Sequence, residues 1–88
     1  MDNIRIKEQK AHEGKWLFVI NIGTEEYRVT LDRDYWLELT GKNLTPGQLV
    51  LYAFMFLLDH EPQKNILREF DLRLVQKNFP NFEDSIRE

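Results

Sequence analysis

The stretch LVLYAFMFLL, residues 49–58, is the most apolar part of this 88-residue chain and decides how the chain folds. Thr45 and Pro46 stand before it as a helix-start signal. The threonine hydroxyl can accept from a first-turn amide, and a proline at the first helical position loses no hydrogen bond. Gln48 follows Thr45 by three residues, as in a capping box. The sequence therefore predicts a central helix over residues 46–58.

This helix carries apolar residues on every side, which is typical of a helix that is buried on most sides. A membrane span needs about 20 apolar residues, and this run is about half that length. We therefore expect a core helix with one wall formed by a sheet and another by later helices. Any face of the helix left uncovered is where a partner would bind.

Length and composition predict a single domain over residues 1–88, with a β-meander in residues 1–31 and a helical part in residues 32–88. The chain has no cysteine, which excludes disulfides and thiol chemistry. Since no secretory leader is visible either, we expect a cytoplasmic protein that does not associate with membranes. Fifteen acidic and twelve basic residues are evenly mixed and give a net charge of −3, which disfavours general nucleic-acid binding.

Alternation of apolar and polar residues predicts a three-stranded antiparallel meander before the central helix. Residues 4–10 and 26–31 alternate with period two, as half-buried strands do. Residues 15–22 are largely apolar on both faces, which indicates the central strand. Turns are expected at residues 11–14 and 23–25. The predicted fold class is α+β.

Three to four helices are expected to follow the meander. A short helix over residues 34–40 is capped by Asp32 or Asp34 and closed by Gly41. After the central helix, Pro62 is predicted to start a helix over residues 63–69. Asp71 caps a segment over 72–78 that Phe79-Pro80 stops, and the tail forms one last turn. The inward positions predicted on these elements are Tyr35, Trp36, Leu39, Ile66, Leu67, Phe70, Leu72, Val75, Phe79, Phe82 and Ile86.

Four residues on the sheet face away from the helix form a candidate partner surface. Leu17 and Val19 are apolar there, and Arg28 and Thr30 flank them on the next strand. One interpretation is a strip shielded by long lysine and arginine stems. The other is a dimer surface or a site for another protein. A chain this short has limited capacity to hide both this strand and the central helix, so self-association is expected.

The segment EPQKNILREFDLRLVQKNFP, residues 61–80, carries a Glu-Pro, an Ile-Leu, a Phe-Asp-Leu and a Phe-Pro at characteristic spacings. In these motifs, and in the hairpin and Thr-Pro helix start before them, the chain resembles a family of small prokaryotic proteins of similar length. The resemblance covers about half of the chain and implies no activity.

Residues 27–58, a strand followed by two helices, resemble the ribbon-helix-helix DNA-binding fold. The resemblance implies that Glu26, Arg28 and Thr30 would read base edges and that the amides after Thr45 would hold a phosphate. The sequence departs from this pattern because a hairpin precedes the ribbon, the first helix is short and the net charge is negative.

No catalytic, cofactor-binding or metal-binding constellation is apparent in the sequence. His12 lies in a hairpin turn, and His60 is favoured at a helix C-terminus by the dipole. Ser85 has no histidine near it in sequence, and Glu25-Glu26 fits a solvated turn better than a desolvated acid pair. The sequence thus predicts a non-enzymatic, soluble protein-interaction module that self-associates as a homodimer. A ribbon-helix-helix DNA-binding regulator is the alternative.

Overall fold

A four-stranded sheet carries all the helices of residues 3–87, the part of the chain that the computed structural model describes. The strand order is β1-β2-β3-β4, with β4 parallel to β3 and the other pairs antiparallel. This mixed architecture confirms the predicted α+β class. The elements in chain order are β1 (Ile4–His12), β2 (Lys15–Ile22), β3 (Glu25–Asp32), α1 (Arg33–Thr40), α2 (Pro46–His60), β4 (Glu69–Asp71), α3 (Arg73–Asn78) and α4 (Phe82–Arg87).

The first three strands form the predicted antiparallel meander, with β2 in the middle. A two-residue loop of Glu13 and Gly14 joins β1 to β2, and both residues have positive φ, 46° and 79°. Such loops match the twist of the strands that they connect. β1 contains one irregularity between Ile6 and Glu8, where Lys7 is the extra residue of a bulge.

The ends of α1 and α2 are capped by the residues that the sequence indicated. Asp32 accepts hydrogen bonds from the amides of the first turn of α1, and Gly41 closes that helix with a left-handed φ of 58°. Thr45 and Gln48 form the reciprocal capping box at the start of α2. These local signals decide where each helix begins and ends, because they satisfy backbone groups that the helix itself leaves unpaired.

Residues 63–69 do not form the predicted helix. Only a 3-10 turn, Gln63–Asn65, is present, and the chain then extends into β4. The Arg28 amide of β3 donates to the Arg68 carbonyl at 2.7 Å, and the Leu72 amide donates to the Thr30 carbonyl at 2.9 Å. Pairing the otherwise open edge of β3 outweighs the local helical pattern, because backbone donors and acceptors need partners when they are partly buried.

The core lies between the inner sheet face and the helices. Phe54 of α2 is at its centre, in edge contact with Tyr27 at a centroid distance of 5.6 Å and tilted against Phe70 at 5.8 Å. Most predicted inward positions are buried or partly buried, and Phe82 of α4 is completely enclosed. Leu67 is the exception: it is 56% exposed, because it lies in the irregular segment between the 3-10 turn and β4 and not on the predicted helix.

Candidate functional site: an apolar helix face beside a free strand edge

One side of α2 is apolar and open to solvent. Tyr52 is 50% exposed and Met55 is 54% exposed, while Leu51 and Leu58 are partly buried beside them. Leu51, Met55 and Leu58 are spaced i, i+4 and i+7, so they form one ridge along the helix. We call these four residues the α2 stripe. The prediction that this helix is buried on most sides therefore holds for the sheet-facing half and the flank towards α4 only.

The α2 stripe continues the flank on which α2 rests against β1. A Cβ built on Gly47 would lie 3.0 Å from Cδ1 of Ile6 and 3.8 Å from Oε1 of Gln9. Leu58 and Leu51 project within about 40° of Gly47 around the helix axis, at 100° per residue. Leu51 and Leu58 thus lie on the flank of α2 nearest β1, whereas the exposed Met55 and Tyr52 project about 80° and 140° from Gly47 around the helix axis.

β1 is the first strand of the sheet, and its outer edge has no neighbouring strand among residues 3–87. Arg28 and Thr30 direct their backbone groups to β4, so Val29 directs its own to Phe18 of β2. The backbone N–H and C=O of Phe18 consequently point to β3 and away from β1. Its cross-strand neighbour Gln9 must therefore present its N–H and C=O to the free edge.

The four residues of the predicted partner surface lie together on the outer sheet face. Leu17 is the cross-strand neighbour of Thr30, and Val19 is the cross-strand neighbour of Arg28. Val19 is only 7% exposed, although no helix covers it in the described part of the chain. Its surroundings are the polar and charged side chains of the adjacent strands, so little of the apolar strip is accessible at this face.

Charges on the outer sheet face neutralise one another. Glu26 pairs with Lys7 at 3.2 Å and lies 3.8 Å from Arg28. Thr30 donates to the Asp71 carboxylate at 2.8 Å. All three side chains that would read DNA in a ribbon-helix-helix protein are thus engaged with their own neighbours.

The position of β3 is also unsuited to a DNA-binding ribbon. A ribbon is made of two strands from two copies that pair edge to edge, and β3 pairs with β2 on one edge and β4 on the other. Neither edge is free to receive a second copy. The fold thus lends no support to the ribbon-helix-helix resemblance.

The histidines and the serine occupy structural positions. The ring of His60 stacks on Phe56 at 4.0 Å, and its Nδ1 lies 2.8 Å from the Phe56 carbonyl. His12 is exposed beside Glu13 in the hairpin, and the Ser85 hydroxyl donates to the Phe82 carbonyl. Residues 3–87 contain no group of three or more His, Asp or Glu that could hold a metal ion.

Sequence reasoning missed the contact between Tyr35 and Glu83. The Tyr35 hydroxyl donates to Oε2 of Glu83 at 3.0 Å and so ties α1 to α4. Burial raises the pKa of Tyr35 well above its usual range, and the hydrogen bond and charge of Glu83 add to the effect. No sequence pattern pairs two residues this far apart, so no signal could have identified them.

Comparison of the chain with models of known protein families, with curated proteins and with solved structures finds no match. Neither resemblance noted in the sequence is supported by these comparisons. No helix within residues 3–87 combines the length and the apolar character that crossing a membrane requires.

Proposed function

We propose that this protein is a non-enzymatic interaction module that acts by binding protein and that it self-associates through the α2 stripe. The observation that carries the proposal is the half-exposure of Tyr52 and Met55 in the middle of the most apolar segment of the chain. Exposed apolar patches on small domains mark interaction surfaces.

A second copy is the occupant that fits this surface. The ridge of Leu51, Met55 and Leu58 has the i, i+4, i+7 spacing with which one helix packs against another. Asp59, and the cap residue Gln48 at the other end, surround it with polar groups, as in the polar rim of an interface. Two identical stripes related by a two-fold axis would cover each other.

Substitution of Met55 tests this proposal. Met55→Glu places a charge in the middle of the α2 stripe, where a partner would have to desolvate it. Size exclusion with light scattering should show a dimer of about 21 kDa for the wild type, twice the 10.6 kDa chain, and a monomer for the variant.

Leu67→Glu is the matched control. Leu67 is as exposed as Met55 but lies outside the stripe, so this variant should remain dimeric. A wild-type monomer at high micromolar concentration would refute self-association. A dimer that survives Met55→Glu would place the interface elsewhere.

A further inference from the structure

We propose that the free edge of β1 pairs antiparallel with the same edge of a second copy, with Gln9 on the two-fold axis. This inference rests on the proposed self-association and specifies its geometry. The N–H and C=O of Gln9 face the open edge, so two copies of Gln9 can exchange both hydrogen bonds. The two four-stranded sheets would then form one continuous sheet.

The charged side chains of β1 favour the register that has Gln9 on the two-fold axis. Glu8 and Lys10 lie on the outer sheet face, opposite Val19 and Leu17 of β2. With Gln9 on the axis, Glu8 of each copy lies opposite Lys10 of the second copy, and opposite charges across a strand pair are stabilising. An axis through Glu8 or through Lys10 would instead bring two like charges together.

The bulge in β1 limits the length of this strand pairing. The register of β1 against β2 shifts between Ile6 and Glu8, so the side-chain alternation reverses at this point. Regular pairing about Gln9 is thereby confined to residues 8–10 of each copy, because position 11 already lies opposite Lys7 of the second copy.

The same axis brings the N-terminal ends of the two α2 helices together. α2 begins above Ile6 and Gln9, on the inner face of the sheet. An axis through Gln9 therefore places the start of each α2 beside that of the second copy, and Leu51 follows one turn later. Strand pairing supplies direction and register, and Leu51, the residue of the α2 stripe nearest the axis, adds apolar contact.

A single introduced thiol tests the register, because the chain has no cysteine of its own. In Gln9→Cys the two Cα atoms would be about 5.5 Å apart, within the range of a disulfide. Ala11→Cys is the control, because its two copies would be offset by four residues, roughly 13 Å along the strand. Mild oxidation should yield a covalent dimer from Gln9→Cys and not from Ala11→Cys.

Charge reversal supplies an independent measurement. Glu8→Lys or Lys10→Glu alone turns two attractive pairs into repulsive ones and should weaken the dimer about tenfold. The double variant restores opposite charges and should recover wild-type dimerisation.

The outcomes separate the two proposals. A wild-type dimer that resists both reversals, or that cross-links equally through position 11, would overturn the β1 register alone. A monomeric wild type would overturn the register together with the self-association on which it rests. Circular dichroism of each variant shows whether it is folded, and the reversed residues are exposed, so folding should be retained.

Discussion

At the scale of single residues, the contact between Tyr35 and Glu83 is the buried polar pair with the clearest energetic consequence. Tyr35→Phe removes the hydroxyl and leaves the Glu83 carboxylate without this donor, although Arg87 still lies 3.8 Å away. Because an unpaired, partly buried acceptor is costly, we expect the free energy of unfolding to fall by about 1–2 kcal/mol. Urea unfolding at pH 7 measures the difference. An unchanged midpoint would show that the bond is not formed in solution.

The raised pKa of Tyr35 also predicts how stability depends on pH. Its pKa is raised on folding above the ordinary value of 10.0, so the unfolded chain loses this proton first as the pH rises. The contribution of Tyr35 is therefore complete below about pH 10 and declines above it, by up to about 1.4 kcal/mol per pH unit. The stability advantage of the wild type over Tyr35→Phe should shrink between pH 9.5 and 11.

At the scale of elements, β4 is held to β3 by a side chain as well as by the backbone. Asp71 accepts from the Thr30 hydroxyl at 2.8 Å and from the Arg73 amide at 3.0 Å. Asp71→Ala removes both bonds, and we expect a loss of about 1–3 kcal/mol. Glu69→Ala, on the same strand but exposed, should cost less than about 0.5 kcal/mol.

Amide hydrogen exchange tests whether the effect of Asp71→Ala is confined to the β3–β4 pair. The amides of Arg28 and Leu72 hold the two strands together, so they should exchange faster in this variant than in the wild type. Faster exchange across the whole sheet with no local difference would contradict the assignment of Asp71 to this strand pair.

The elements that sequence predicted are those whose signals are local. The Thr45 capping box, the Gly41 helix end and the alternation in β3 each lie within a few residues, and the structure confirms all three. β4 was missed because its conformation depends on the open edge of β3, about 40 residues away in the chain. From the sequence, the α2 stripe could be predicted only as the face of α2 that the sheet and the later helices leave uncovered. Which face that is depends on where α1 and α4 pack.

At the scale of the whole molecule, two faces compete as the dimer surface. The sequence favours the outer sheet face around Val19, whereas exposure favours the α2 stripe, since Met55 is 54% exposed and Val19 only 7%. A residue already shielded within one chain has little area left to bury against another. We therefore expect Val19→Asp to lower the stability of each chain while leaving the dimer intact.

Thermal unfolding at several protein concentrations distinguishes these two effects. A dimer that unfolds to monomers gains stability with concentration, so the midpoint should rise when the wild type is concentrated. The unfolding midpoint of Val19→Asp should also rise with concentration, but it should be lower than that of the wild type at every concentration. The buried carboxylate destabilises the fold of each chain. The unfolding midpoint of Met55→Glu should not change with concentration. At low concentration it should stay near that of the wild type, since position 55 faces solvent in the monomer. The reverse pattern would assign self-association to the outer sheet face, and the α2 stripe would then be left for a different protein.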